Sequence, residues 1–110
     1  MTETTTLVRP ADGHFVVRAG GAVIADTTRA LEQTVEGEEP ILYFPQEDIG
    51  MMLLERSETA GDDGRVFYGI AAKSGLIGEA AWAYENPPAE LAAVRGYLAF
   101  VPEKATVEEV

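Results

Sequence analysis

Glycines 20 and 21 stand between two short β-prone runs, Phe15-Val16-Val17-Arg18 and Val23-Ile24-Ala25, and this pattern constrains the fold more than any other feature of the chain. A tight two-residue hairpin turn needs positive φ at both central positions, which glycine adopts without steric cost. The same alternation of β-prone run and turn signal recurs downstream. In Val66-Phe67-Tyr68-Gly69-Ile70-Ala71-Ala72, strand alternation puts Val66, Tyr68 and Ile70 on one face. Lys73-Ser74-Gly75 then turns the chain, and Leu76 to Tyr84 returns as the partner strand. Ala80, Trp82 and Tyr84 fall on one of its faces, Ala81 and Ala83 on the other. Ile41-Leu42-Tyr43-Phe44, ended by Pro45, reads as a strand buried on both faces. Tyr97-Leu98-Ala99-Phe100-Val101, stopped by Pro102, reads as the last strand.

Helix signals are scarce. Arg29-Ala30-Leu31-Glu32 suits one helical turn or an irregular link, and Val35 to Glu39 reads as an acidic exposed loop. Met51-Met52-Leu53-Leu54-Glu55 lacks diagnostic periodicity and is assigned to strand on its flanking glycine and polar end, while Glu58 to Gly64 carries loop chemistry. Asn86-Pro87 reads as a helix start with Asn86 as cap, leading into a short helix over Ala89 to Arg95 that Gly96 ends. The expected fold is therefore mainly β (bordering on α+β), a small antiparallel sheet or barrel-like domain with one short C-terminal helix. A length of 110 residues fits a single domain over 1–110, with an ordered core of about 8–102 and an acidic C-terminal tail that frays.

Nineteen acids against eight bases give a formal charge of −11, a field that repels phosphate backbones and anionic lipid. Nucleic acid and membrane are accordingly excluded as partners, and an unknown small molecule or protein is expected, with a homodimer open. No apolar run approaches the ~20 residues of a membrane span, and no signal peptide precedes the first strand, so the expected location is cytoplasmic. The chain has no cysteine and one histidine, His14, which removes thiol chemistry and leaves a transition-metal site without ligands. Asp62 and Asp63 lack the spaced ligands of a calcium loop, and no phosphate-binding glycine motif or serine-hydrolase context is present. No metal and no cofactor are expected.

Four segments together resemble the domain-of-unknown-function 427 family, sometimes labelled nucleotidyltransferase-like. They are Gly21-Ala22-Val23-Ile24-Ala25-Asp26-Thr27 with Arg29-Ala30-Leu31, Tyr43-Phe44-Pro45-Gln46-Glu47-Asp48-Ile49, Ala80-Ala81-Trp82-Ala83-Tyr84-Glu85-Asn86-Pro87, and Gly96-Tyr97-Leu98-Ala99-Phe100. The resemblance runs from about Phe15 to Phe100 and implies a compact, mainly β protein of bacterial type with no established activity. Members of that family usually carry a Cys-Pro-x-Lys-Gly segment where this chain has Gly61-Asp62-Asp63-Gly64, so any chemistry resting on that thiol or amine is lost here.

The candidate site residues are Tyr43, Glu47, Asp48, Tyr68, Trp82, Tyr84 and Arg29. Glu47 and Asp48 follow a strand end and can present paired carboxylates, whose mutual field separates an acid from a base. Trp82 and Tyr84 share a strand face that Tyr68 on the partner strand can join, and such aromatics stack a flat ligand or fill a core. Three functions follow: a non-catalytic binding or interaction module with an aromatic–acidic pocket; a small enzyme using Glu47 or Asp48 as general base, with Arg29 or Lys73 holding an anionic group; or a divergent scaffold without a ligand site. Whether the chain is an enzyme stays open at this level.

Overall fold

The computed structural model describes residues 6–60, 64–73 and 75–110, with side chains described from residue 7 and outside 58–60. The expected Gly61-Asp62-Asp63 turn and Ser74 of the second hairpin turn lie outside the described residues. The strands are β1 (Thr6–Pro10), β2 (Phe15–Ala19), β3 (Ala22–Thr27), β4 (Leu31–Val35), β5 (Ile41–Tyr43), β6 (Leu54–Ala60), β7 (Arg65–Ala72), β8 (Gly75–Tyr84), β9 (Leu98–Phe100) and β10 (Thr106–Glu109). They form three antiparallel sheets, β1-β4-β5, β10-β2-β3 and β6-β7-β8-β9. A Phe44–Leu98 bridge stitches the first sheet to the third, and Ala25–Ile49 ties the second to the segment after β5. The sheets do not close into a barrel, and no helix among the described residues is long and apolar enough to cross a membrane.

Both hairpins read from the sequence form. Gly20 and Gly21 adopt φ of 57° and 80°, the left-handed values the turn demands. A Cβ on Gly20 would lie 2.6 Å from that of Ala72, so the first hairpin's turn rests directly on the end of β7. In the second hairpin the register shifts between Tyr68 and Ile70, a bulge at which Glu79 takes a φ of 50°.

Four local expectations are corrected. Arg29-Ala30-Leu31-Glu32 is no helical turn: Leu31 opens β4, which is central between β1 and β5. Its buried middle residue is Gln33, so the alternation carries no apolar signal. Met51–Leu53 is a 3₁₀ turn and the strand begins only at Leu54, running to Ala60 into the expected loop. The C-terminal helix is a 3₁₀ segment, Ala89–Val94, entered from Pro88 without a side-chain cap, so Asn86 does not cap it. The acidic tail, expected to fray, forms a strand. Ala105 is buried, Val107 half-buried, and β10 pairs with β2 along Thr106–Arg18 to Glu109–Phe15, with Arg18 and Glu108 at 3.6 Å.

The core splits across the β5–β9–β8 junction. On one side Phe44, Leu98 and Phe100 pack with Phe15, Val17 and Ile70, with Phe44 and Phe100 edge-to-face at 5.6 Å. On the other, Tyr43 and Ala99 pack with Leu91 and Val94 of the 3₁₀ segment, which covers this face. Successive residues 43 and 44 thus serve opposite clusters, as a strand buried on both faces requires.

Candidate functional site

The candidate residues fall into two groups on either side of Gln46. The first is an acidic corner where β3 ends. Pro45 stops β5 and leads into a 3₁₀ turn, Gln46–Asp48, which the Gly50 N–H to Ile24 C=O bond of 2.8 Å holds against β3. Buried Thr27 donates its hydroxyl to Asp48 Oδ2 at 2.6 Å and accepts the Arg29 N–H at 2.9 Å. Arg29 closes the ring, with Nη2 at 3.0 Å from Asp48 Oδ1 and Nη1 at 3.7 Å from Glu47 Oε1. The Thr27 hydroxyl, then Arg29, holds the Asp48 carboxyl below the usual carboxylate range. Both oxygens of Asp48 are therefore occupied and the group stays ionised, whereas a general base works best with a pKa near the working pH. Glu47 projects into solvent, and among the described residues its one ion-pair partner is Arg29.

The second group surrounds the end of β8. The β7–β8 register sets Arg65 opposite Tyr84, Phe67 opposite Trp82 and Tyr68 opposite Ala81. The residues sharing the face of Trp82 are thus Arg65 and Phe67, and the Arg65 guanidinium lies 5.2 Å from the Trp82 ring and 5.4 Å from that of Phe67. The expected union of Tyr68 with Trp82 fails on this parity. Trp82 instead sits in an aromatic ladder, edge-to-face with Tyr43 and with Tyr84, both at 5.5 Å. Tyr43 is fully buried, donates its hydroxyl to buried Gln33 and has its phenol pushed above the ordinary range by burial, then by Tyr84. It offers no surface to a ligand.

Tyr68 and Tyr84, on opposite faces by the same parity, both line a hollow at the end of the sheet. Beyond the ladder a cleft of about 330 Å³ opens, floored by Tyr68, Ala83 and Tyr84 and rimmed by Asn86, Arg95 and Gln46. Gln46 donates from Nε2 to the Gly96 C=O at 2.8 Å, and the Gly96 N–H reaches the Tyr84 C=O at 3.4 Å, which fixes the rim to the sheet. Glu85, also at the rim, is held by Arg56 through two hydrogen bonds, one of 3.2 Å. Arg95 is exposed, and among the described residues no carboxylate pairs with it. His14, the lone histidine, lies elsewhere against Asp26 of β3, and Lys73 faces a hollow beside Gly20.

The family model of a domain of unknown function, DUF427, matches residues 7–110. The chain belongs to this family. No curated protein matches it. In this DUF427 domain, sequence reasoning finds the acids and the aromatics but misses Thr27, Gln33, Gln46, Asn86 and Arg95. The last two look like helix signals, a cap and a last-turn cation. The signal available is their position on either side of the 3₁₀ segment, at its junctions with β8 and β9, where chain ends converge and loops gather polar groups.

Proposed function

We propose that this DUF427 domain is a non-catalytic small-molecule-binding module whose ligand occupies the cleft between Tyr68, Tyr84, Asn86 and Arg95. The observation that carries this reading is Arg95, an exposed guanidinium with no acidic partner among the described residues of a chain with a formal charge of −11. With so many acids available, a cation on a cleft that Tyr68, Gln46 and Asn86 also line is placed to receive a polar group of a guest. The cleft's volume, about 330 Å³, is at the small end of ligand sites. Catalysis by Glu47 or Asp48 has less support, because Asp48 is bonded at both oxygens and Glu47 lies in open solvent.

A thermal-shift screen of small polar metabolites tests the proposal. A ligand at a hundred times its dissociation constant stabilises by about 2.7 kcal/mol. That shift is expected to vanish in Arg95→Ala, weaken in Tyr68→Phe and persist in Glu47→Gln, with the ligand recovered unchanged. Turnover of the ligand, lost in Glu47→Gln or Asp48→Asn, would replace this reading with the enzymatic one.

A further inference from the structure

The seam between β5 and β9 contains a second opening, and the backbone explains it. Phe44 and Leu98 exchange two hydrogen bonds, 2.7 and 2.9 Å, and form the one bridge between these segments among the described residues. In an antiparallel ladder the next bonded rung lies two residues further along each strand. Continuing the register sets Leu42 opposite Phe100, and then Pro40 opposite Pro102. The Val101 N–H goes the other way, to the Ala80 C=O at 2.8 Å, so the polar groups of Phe100 turn towards β5. Leu42, two residues from Phe44, turns its own towards β9. No bridge forms at this rung, and the two prolines that follow have no N–H with which to close the ladder.

A cavity of about 360 Å³ lies beside this rung, lined by residues 40–42 and 100–102 with Trp82 and Val107. Its side chains are apolar apart from the Trp82 indole N–H, and the main chain of Leu42 and Phe100 adds polar groups at the open rung. A peptide strand would find one rung to pair with before meeting proline on both sides, so strand addition is disfavoured. Exposed Glu39, Glu103 and Glu108 adjoin the lining residues in sequence, which disfavours an anion.

We infer that this opening is a binding site, separate from the Tyr68–Arg95 cleft, for a small, planar, uncharged heteroaromatic molecule with an amide-like edge. The ring lies against the Trp82 indole, and an N–H beside a C=O pairs with one C=O and one N–H of the rung that Leu42 and Phe100 leave open.

Quinolin-2-one is a suitable probe, followed by ¹H–¹⁵N NMR on the full chain. Saturable shifts are expected at the Leu42 and Phe100 amides and at the Trp82 indole N–H, the chain's single tryptophan. 1-Methylquinolin-2-one keeps the ring and loses the donor, and should bind about tenfold more weakly. Val107→Phe, which fills the cavity, should abolish the shifts while retaining a cooperative thermal transition. No saturable shift at these three groups, shifts centred on Tyr68 and Arg95 instead, or equal binding of the methylated compound would each overturn the inference. The comparison of the two compounds uses the unsubstituted chain and so stands even if Val107→Phe does not fold.

Discussion

The acidic corner and the Tyr68–Arg95 cleft are separated by one residue, Gln46, and use the same kinds of side chain to opposite ends. In the corner every strong group answers another: the Thr27 hydroxyl and the Arg29 guanidinium take both oxygens of Asp48, and Thr27 in turn holds the Arg29 N–H. The result is a clasp that pins the 3₁₀ turn to the end of β3. In the cleft, Gln46 and Glu85 are taken up by Gly96 and Arg56, while exposed Arg95 has no ion pair among the described residues. Paired carboxylates in a sequence suggest chemistry, yet Asp48 is bonded at both oxygens here, and the residues of the proposed ligand cleft are ones that resemble helix punctuation. A charged group acts on a guest only if the fold has not already satisfied it.

The comparison can be broken most forcefully at Thr27. Thr27→Val keeps the shape but removes the hydroxyl from a buried position, leaving Asp48 Oδ2 and the Arg29 N–H without it. A loss of about 1–3 kcal/mol is expected in urea denaturation. A smaller effect concerns pH. The Asp48 carboxyl is held below its ordinary range in the folded chain. Its contribution is therefore complete above the unfolded carboxylate pKa of about 4 and is lost as pH falls through the lower folded value. Asp48→Asn should consequently be less stable than the parent at neutral pH, and the two denaturation curves should converge below about pH 4. Smallest of all is the expected effect of Arg95→Ala on the unliganded chain, within about 0.5 kcal/mol of the parent, because an exposed arginine without a partner contributes little to folding. A large loss there would show that Arg95 serves the fold as Asp48 does.

Much of this architecture is legible because strands announce themselves through alternation and glycine turns. The Gly20-Gly21 hairpin and the β7–β8 pair are readable for that reason, as is the apolar run from Ile41 to Phe44. Two strands are hidden by polar residues: β4, whose inward Gln33 is compensated by Tyr43, and β10, where Val107 alone turns inward between exposed Thr106 and Glu108. Neither has an apolar period for a sequence reading to detect. The site is harder still. Which face Tyr68 shares depends on the parity of the β7–β8 register, and two residues either way along the turn would leave it unchanged, but one would reverse it. Read from the sequence, the return strand starts at Leu76, but β8 begins at Gly75 opposite Ala72, and that one residue reverses the parity. The convergence of Asn86, Arg95 and Gln46 depends on where the 3₁₀ segment lands, a tertiary fact with no local signature.

A pair of double-mutant cycles measures the contrast between clasp and cleft most directly. One cycle combines Arg29→Ala with Asp48→Ala, the other Arg95→Ala with Glu85→Ala, each followed by chemical denaturation of the unliganded chain. A clear departure from additivity for Arg29 and Asp48, with simple additivity for Arg95 and Glu85, is the predicted result. Coupling of similar size in both cycles would contradict the account, since the fold would then hold the cleft's groups no less firmly than those of the corner.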